Sequence, residues 1–169
     1  MSTGAQRQHT YIAEDYLLEY PIDHLDPVTM TLHESVHFSL NLTDPIVDME
    51  WESLAAHPGG FGRTQLGPDH CLFVLTFYHQ LHCLWKFQST LINRNDPGAS
   101  PHHVQHCLNY LHQLFLCDAA TTLELGDFMV RDFEQNRVGD TLVCRDWEKV
   151  YNVLDSAFVE WSTWSVQWN

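Results

Sequence analysis

The pattern His-x-x-His-Cys occurs twice in this chain and constrains the fold more than any other feature. It stands in YHQLHCLWKF (78–87) and again in HHVQHCLNYL (102–111). With 12 histidines and 5 cysteines in 169 residues, one chance match has a probability of about 0.02–0.03, so two are improbable. Positions i, i+3 and i+4 share one face of an α-helix. Two helices are therefore predicted to present the same groups: His79, His82 and Cys83, then His103, His106 and Cys107.

The residues around the two motifs predict a helical hairpin. The first helix is expected over 77–93 and the second over 101–117. Between them stands a helix-breaking stretch, and Ser100 and Pro101 suit the N-cap and the first helical position. So short a connection makes the helices antiparallel neighbours, with the four imidazoles meeting at the margin of the core. The helices are expected to pack through two apolar stripes: Leu84, Phe87 and Leu91, and Val104, Leu108, Leu111 and Phe115.

The rest of the chain predicts short strands and two further helices. Alternating apolar residues over 28–42 indicate a β-hairpin turning near 33–35. Helices are expected over 48–56 and from about Arg145, the last with an apolar stripe at helical spacing. The stripe of the last helix consists of Val150, Val153, Leu154, Ala157, Phe158 and Trp161. The other segments are expected to be a loop (57–70), a short strand (71–77) and short strands or turns (121–143).

These elements predict an α+β fold that is mostly α. It contains the antiparallel helix pair with the two motifs, a C-terminal amphipathic helix and a small β-hairpin. We expect an N-terminal arm over 1–27 and a single metal-binding domain over 28–169.

Charge and hydropathy exclude several classes of function. The net charge of −14 repels phosphate backbones, which argues against nucleic-acid binding. The N-terminus lacks the apolar core of a secretory signal, and the uncharged stretch 71–85, which contains two histidines, is too short to span a bilayer. Trp161, Trp164 and Trp168 suit either a homodimer contact or the core.

Three interpretations of the paired motif stay open on spacing alone. The histidines are boundary residues beside buried cysteines, or ligands of a closed structural zinc site, or an open imidazole site for a redox metal. Zinc sites of the structural kind favour Cys-x-x-Cys, which is absent from the sequence. Imidazole suits zinc, copper, iron and nickel alike, so spacing does not select the metal.

The five cysteines also leave alternatives open. Cys83 and Cys107 hold equivalent positions on the two helices, so a disulfide could join them if their Cα atoms lie about 4.4–6.8 Å apart. Cys117 and Cys144 are candidates for a second disulfide, which leaves Cys71 unpaired. In a reducing compartment all five remain free thiols.

The sequence resembles the UstYa-like proteins of fungi. The resemblance is carried by YHQLHCLWKF (78–87), by the second motif and its extension (103–124) and by VCRDWEKV (143–150), with weaker echoes in MEWESL (49–54) and GRTQLGPDH (62–70). It implies oxidative cyclisation, hydroxylation or halogenation of a peptide or small natural product in secondary metabolism. It further implies that one or two copper ions, rather than zinc, are held by His79, His82, His103 and His106 and activate dioxygen.

The chain departs from this family at two points. Many members begin with a membrane-spanning helix that is missing here, so the cellular location stays open. Leu142 stands where members often have histidine. Around the motifs, Asp118 is a candidate to orient a ligand imidazole. Tyr78, Trp85 and Tyr110 are candidates to line the substrate pocket or supply a redox-active ring, although aromatics at helical spacing also build cores.

Two other functions fit the same motif. One is a non-redox metal or histidine acid–base catalyst of cyclisation or isomerisation. The other is a non-enzymatic, metal-stabilised partner protein.

Overall fold

The fold is α+β and mostly α, as predicted. The structure, a computed structural model, describes residues 8–41, 43–56 and 59–168, with no side-chain description of Trp168. In chain order its elements are β1 (Pro27–His33), α1 (Pro45–Ala56), β2 (Arg63–Leu66), β3 (Cys71–Val74), α2 (Thr76–Ile92), α3 (Pro101–Cys117), β4 (Val138–Arg145) and α4 (Trp147–Trp168).

The helical hairpin forms as the sequence predicts. Helix α3 begins and ends at the expected residues, with Pro101 in its first turn and the Ser100 hydroxyl accepting a hydrogen bond from the His103 N–H at 3.3 Å. Helix α2 begins at Thr76, one residue after β3, and ends at Ile92, where the N–H of the C-cap Asn93 donates to the Ser89 carbonyl at 2.8 Å. These caps satisfy backbone groups that the ends of a helix leave unpaired.

The seam between α2 and α3 differs from the predicted apolar stripes. Cys83, Cys107 and Leu111 are buried there, with Phe87 and Tyr110 against them. Cysteine is small and among the most frequently buried residue types, so it permits close approach of the two helices. The prediction that the large apolar side chains of both stripes face the seam is wrong for four residues, which are exposed: Leu84, Leu91, Leu108 and Phe115.

The predicted β-hairpin over 28–42 is also wrong. Strand β1 pairs instead with β4, antiparallel, and the hydroxyls of Thr31 and Thr141 lie 2.7 Å apart across the pair. After β1 the chain turns, and Phe38 adopts a φ of +55°, which a strand does not tolerate. The Glu50 carboxylate accepts the Phe38 N–H at 2.8 Å. Alternation detects a strand but not a partner more than 100 residues away.

The small β-hairpin of this fold lies at β2 and β3, where the sequence predicted a loop before a strand. Arg63 pairs with Val74, and the Leu75 N–H donates to the Gly62 carbonyl at 3.2 Å, just before α2. Gly62 has a φ of +68°, and a Cβ there would lie 2.2 Å from Cγ of Tyr78. The hairpin therefore lies directly against the first turn of α2.

Helix α4 covers the other side of the core. Val150 and Leu154 are buried against Tyr78, in agreement with the predicted stripe. Trp164 stacks on His70 with ring centroids 3.8 Å apart, so this tryptophan packs within the chain. None of the helices in the described ranges combines the length and hydropathy of a membrane span.

Candidate metal centre

The four motif histidines meet across the α2–α3 pair. Nε2 of His79 and Nε2 of His106 are 3.2 Å apart. The rings of His82 and His103 stack with centroids 5.5 Å apart and an interplanar angle of 30°. Along each helix the rings are separated by 6.4 Å and 6.5 Å. The predicted meeting of four imidazoles is therefore what the hairpin produces.

The tautomer of His103 follows from its hydrogen bond to the interhelix connection. Its Nδ1 lies 2.9 Å from the Gly98 carbonyl oxygen. Because a carbonyl only accepts, Nδ1 carries the hydrogen, and in the neutral ring Nε2 has a free lone pair. Ser100 fixes the backbone of the same residue. A ligand imidazole is commonly oriented in this way by a partner on its other nitrogen.

The electrostatics keep the imidazoles on α2 neutral. Burial, followed by the positive charge of Lys86, lowers the pKa of His82 to about 4. Burial and the neighbouring His106 lower the pKa of His79. At neutral pH these rings are therefore uncharged, which is the form that donates a lone pair to a metal.

The geometry fits a metal ion between His79 and His106. Two nitrogens bound to one ion at about 2.0 Å with a tetrahedral angle lie about 3.3 Å apart, close to the 3.2 Å between His79 and His106. Within the described ranges, no group of three or more histidine, cysteine or acidic side chains is placed to hold an ion as it stands. Binding by more than two of these imidazoles therefore requires rotation of side chains.

The cysteines are free thiols in the structure, so neither predicted disulfide is present. Cys83 and Cys107 are fully buried and pack in the same cluster. Burial and this neighbouring thiol raise the pKa of Cys83 to about 12. Cys117 is exposed at the end of α3, whereas Cys144 lies half-buried in β4 opposite Val28. The two motif thiols thus occupy the helix seam.

The aromatic candidates fall close to the histidines, and Asp118 does not. Tyr110 stacks on His79, with centroids 3.9 Å apart. Tyr78 is buried beneath the β2–β3 hairpin. Asp118 is the C-cap of α3, twelve residues beyond His106 and so about 18 Å along the helix axis. Its expected role in orienting a ligand is therefore wrong.

A cavity of about 410 Å³ opens beside the histidines of α2. Ala55, Phe61, Val74 and Trp85 give it apolar walls, and Tyr78, His79 and His82 also line it. Arg63 lies among these residues and was missed in the sequence, where only the weak GRTQLGPDH echo marked its segment. A larger cavity, about 770 Å³, lies between the N-terminal arm and the start of α2, and no motif histidine lines it.

Comparison with known proteins places these motifs in a family. The profile described as mycotoxin biosynthesis protein UstYa matches residues 36–162. The UstYa family oxidase phomYb of Diaporthe leptostromiformis is 32% identical over 93 residues, covering 53% of this chain and 37% of that protein. The oxidase ustYb of Aspergillus flavus is 27% identical over 118 residues, covering 54% and 45%. This chain spans less than half the length of either relative. No solved structure shows significant similarity.

Proposed function

This chain belongs to the UstYa family of mycotoxin biosynthesis proteins, and we propose that it is a copper-dependent oxidoreductase of fungal secondary metabolism. The two relatives are named oxidases, which supports an oxidative reaction. The proposed reaction is oxidative cyclisation, hydroxylation or halogenation of a peptide or small natural product. The observation that carries the proposal is the 3.2 Å approach of Nε2 of His79 and Nε2 of His106 from two different helices.

The donor set supports copper over structural zinc. The groups that face one another across the helices are imidazoles, and the two thiols of the motifs are turned into the seam. Copper is bound more tightly than zinc by most nitrogen sites in the divalent series. Bound copper would supply a one-electron redox couple and activate dioxygen. His79 and His106 would hold it, with His82 and His103 as the adjacent donors.

The surrounding residues would keep the donors ready. Gly98 and Ser100 hold His103 in one tautomer and position before any ligand arrives. Tyr110 covers one face of the His79 ring and limits its rotation. Such fixing of side chains reduces the entropy lost on binding. The apolar cavity next to His79 and His82 would hold substrate and exclude water from the reacting carbon.

The acid–base alternative receives less support. A general base works best when its pKa lies near the operating pH. Burial lowers the pKa of His82 to about 4, far below neutrality, which makes this ring a weak base. The non-enzymatic partner role predicts no turnover, and the cavity beside the histidines favours an enzyme.

Metal content tests the proposal. The parent, His79→Ala and His106→Ala would be purified without added metal, loaded with copper, desalted and analysed by mass spectrometry. We expect about one to two copper equivalents in the parent and loss of copper from both variants. His112→Ala is the matched control, because His112 is exposed on α3 and six residues from His106. Equal copper in all four proteins would overturn the proposal, and retained zinc would favour the Lewis-acid role.

Oxygen consumption separates the redox role from the others. With a reductant, the copper-loaded parent is expected to consume dioxygen, and His106→Ala is expected not to. A parent that binds copper and turns over substrate equally well without oxygen would instead support the non-redox catalyst.

A further inference from the structure

The cavity beside His79 and His82 combines apolar walls with one positive charge. Trp85, Phe61 and Val74 provide large apolar surfaces. Arg63 is the only Lys or Arg among its lining residues within the described chain, and its side chain is exposed. At about 410 Å³ the volume lies toward the small end for ligand pockets. A group with the size of one aromatic or branched side chain fits such a space.

Arg63 has no acidic partner in the described ranges, although acids are abundant. The chain has 22 Asp and Glu against 8 Lys and Arg, yet the ion pairs between described residues involve other side chains. The guanidinium donates one hydrogen bond, from a terminal nitrogen to the Gly60 carbonyl at 3.2 Å, and lies 5.9 Å from the centroid of the Phe61 ring. Most of its five N–H donors thus remain available to an anion.

The backbone of Arg63 is held in place. Its N–H donates to the Gly60 carbonyl at 3.1 Å, and its residue pairs with Val74 in the β2–β3 hairpin. Immediately before it, Gly62 lies so close to the Tyr78 ring that no side chain fits there. The strand pairing and these contacts therefore hold the backbone of Arg63 beside α2, the helix that carries His79 and His82.

We infer that this cavity binds a substrate carrying a carboxylate next to an apolar, ring-sized group, with Arg63 as the residue that selects the carboxylate. Guanidinium matches a carboxylate through paired hydrogen bonds, and in a chain with net charge −14 the anion would otherwise be repelled. Bound in this way, the apolar group lies between Trp85 and the imidazoles of His79 and His82. The carboxylate belongs either to a chain terminus or to an acidic side chain. What is done to the bound substrate rests on the proposed function.

Binding of small probes tests this inference without turnover. N-acetyl-phenylalanine, its amide, and acetate would be titrated into the parent by calorimetry in a buffer without phosphate. A second carboxylate source, an acetylated Phe-Asp amide, separates a side-chain carboxylate from a terminal one. We expect at least one of the two carboxylates with a phenyl group to bind about tenfold or more tightly than the neutral amide. Acetate alone should bind far more weakly because it leaves the apolar walls unfilled.

Two variants assign that preference to a residue. Arg63→Gln is expected to abolish the difference between acid and amide and leave the amide unaffected. Arg94→Gln, an exposed arginine in the interhelix connection, removes the same charge elsewhere and should preserve the difference. Circular dichroism of each variant confirms folding, and Arg63→Lys provides a second variant that retains the charge. Equal binding of acid and amide by the parent, no binding of any probe, or an unchanged preference in Arg63→Gln would overturn the inference.

The inference and the proposed function fail separately. Probe binding is measured on chelator-treated protein, and copper content is measured on the same preparations of the parent and of Arg63→Gln. Carboxylate selection without copper binding would refute only the metal function. Copper binding with no carboxylate selection would refute only the role of Arg63.

Discussion

Replacing Tyr78 by phenylalanine is expected to stabilise the protein. The Tyr78 ring is 1% exposed, and its buried hydroxyl has no hydrogen-bond partner among the described residues. An unpartnered buried hydroxyl costs about 1–3 kcal/mol. Phenylalanine keeps the ring contact with Tyr151, whose centroid is 5.2 Å away. We therefore expect Tyr78→Phe to raise the free energy of unfolding by about 1 kcal/mol and Tm by roughly 2–4 °C.

The neighbouring tyrosine is the matched control for this change. The Tyr151 hydroxyl donates to the Leu54 carbonyl at 2.7 Å, so Tyr151→Phe should lower the free energy of unfolding by about 1 kcal/mol. Urea unfolding followed by circular dichroism measures both, with equal m-values expected. Destabilisation of Tyr78→Phe to the same extent as Tyr151→Phe would refute the reasoning. A stabilised Tyr78→Phe with reduced oxidative turnover would assign the hydroxyl to the reaction, since function often retains such costs.

Two further predictions concern the N-cap of α3 and the loss of stability at acidic pH. Ser100→Ala should lower the free energy of unfolding by about 1 kcal/mol and, if the chain binds copper as proposed, weaken that binding through His103. Ser156→Ala, away from any helix end, is the control and should leave the proposed copper binding unchanged. Equal copper affinity in the two variants would contradict this. The Phe38 N–H lowers the pKa of the Glu50 carboxyl, so the parent should be more stable than Glu50→Gln at pH 7, and the difference should shrink as pH falls from about 4.5 through the lowered pKa. Urea midpoints between pH 7 and pH 3 measure this, and a constant difference would show that ionisation of Glu50 is not its source.

The helices and the histidine cluster were predictable because their determinants are local. Ser100 and Pro101 define where α3 begins, and the spacing of three and four residues fixes which side chains share a face. Because the connection is short, α2 and α3 pack against each other. The stripe on α4 was predictable for the same reason, since Val150 and Leu154 repeat at helical spacing.

The remainder required information from distant parts of the chain. Strand β1 alternates as a strand should, but its partner β4 is separated from it by most of the sequence. The burial of Cys83 and Cys107 in the seam depends on how close two backbones approach, which neither helix shows alone. Arg63 could not be recognised as a site residue from the sequence, because only the β2–β3 hairpin brings it beside the histidines of α2. The residues around the histidines were therefore hard to predict, because long-range contacts bring them there.

The chain distance between contacting residues has a consequence for the order of assembly. His79 and His106 are 27 residues apart, whereas the Thr31 and Thr141 hydroxyls join residues 110 apart. Because loop-closure entropy grows as the logarithm of loop length, the longer closure costs about 1.2 kcal/mol more. We expect the helical hairpin to form first and the β1–β4 pair to close last. During folding, the imidazoles would then be assembled and able to bind an ion before β1 and β4 have paired.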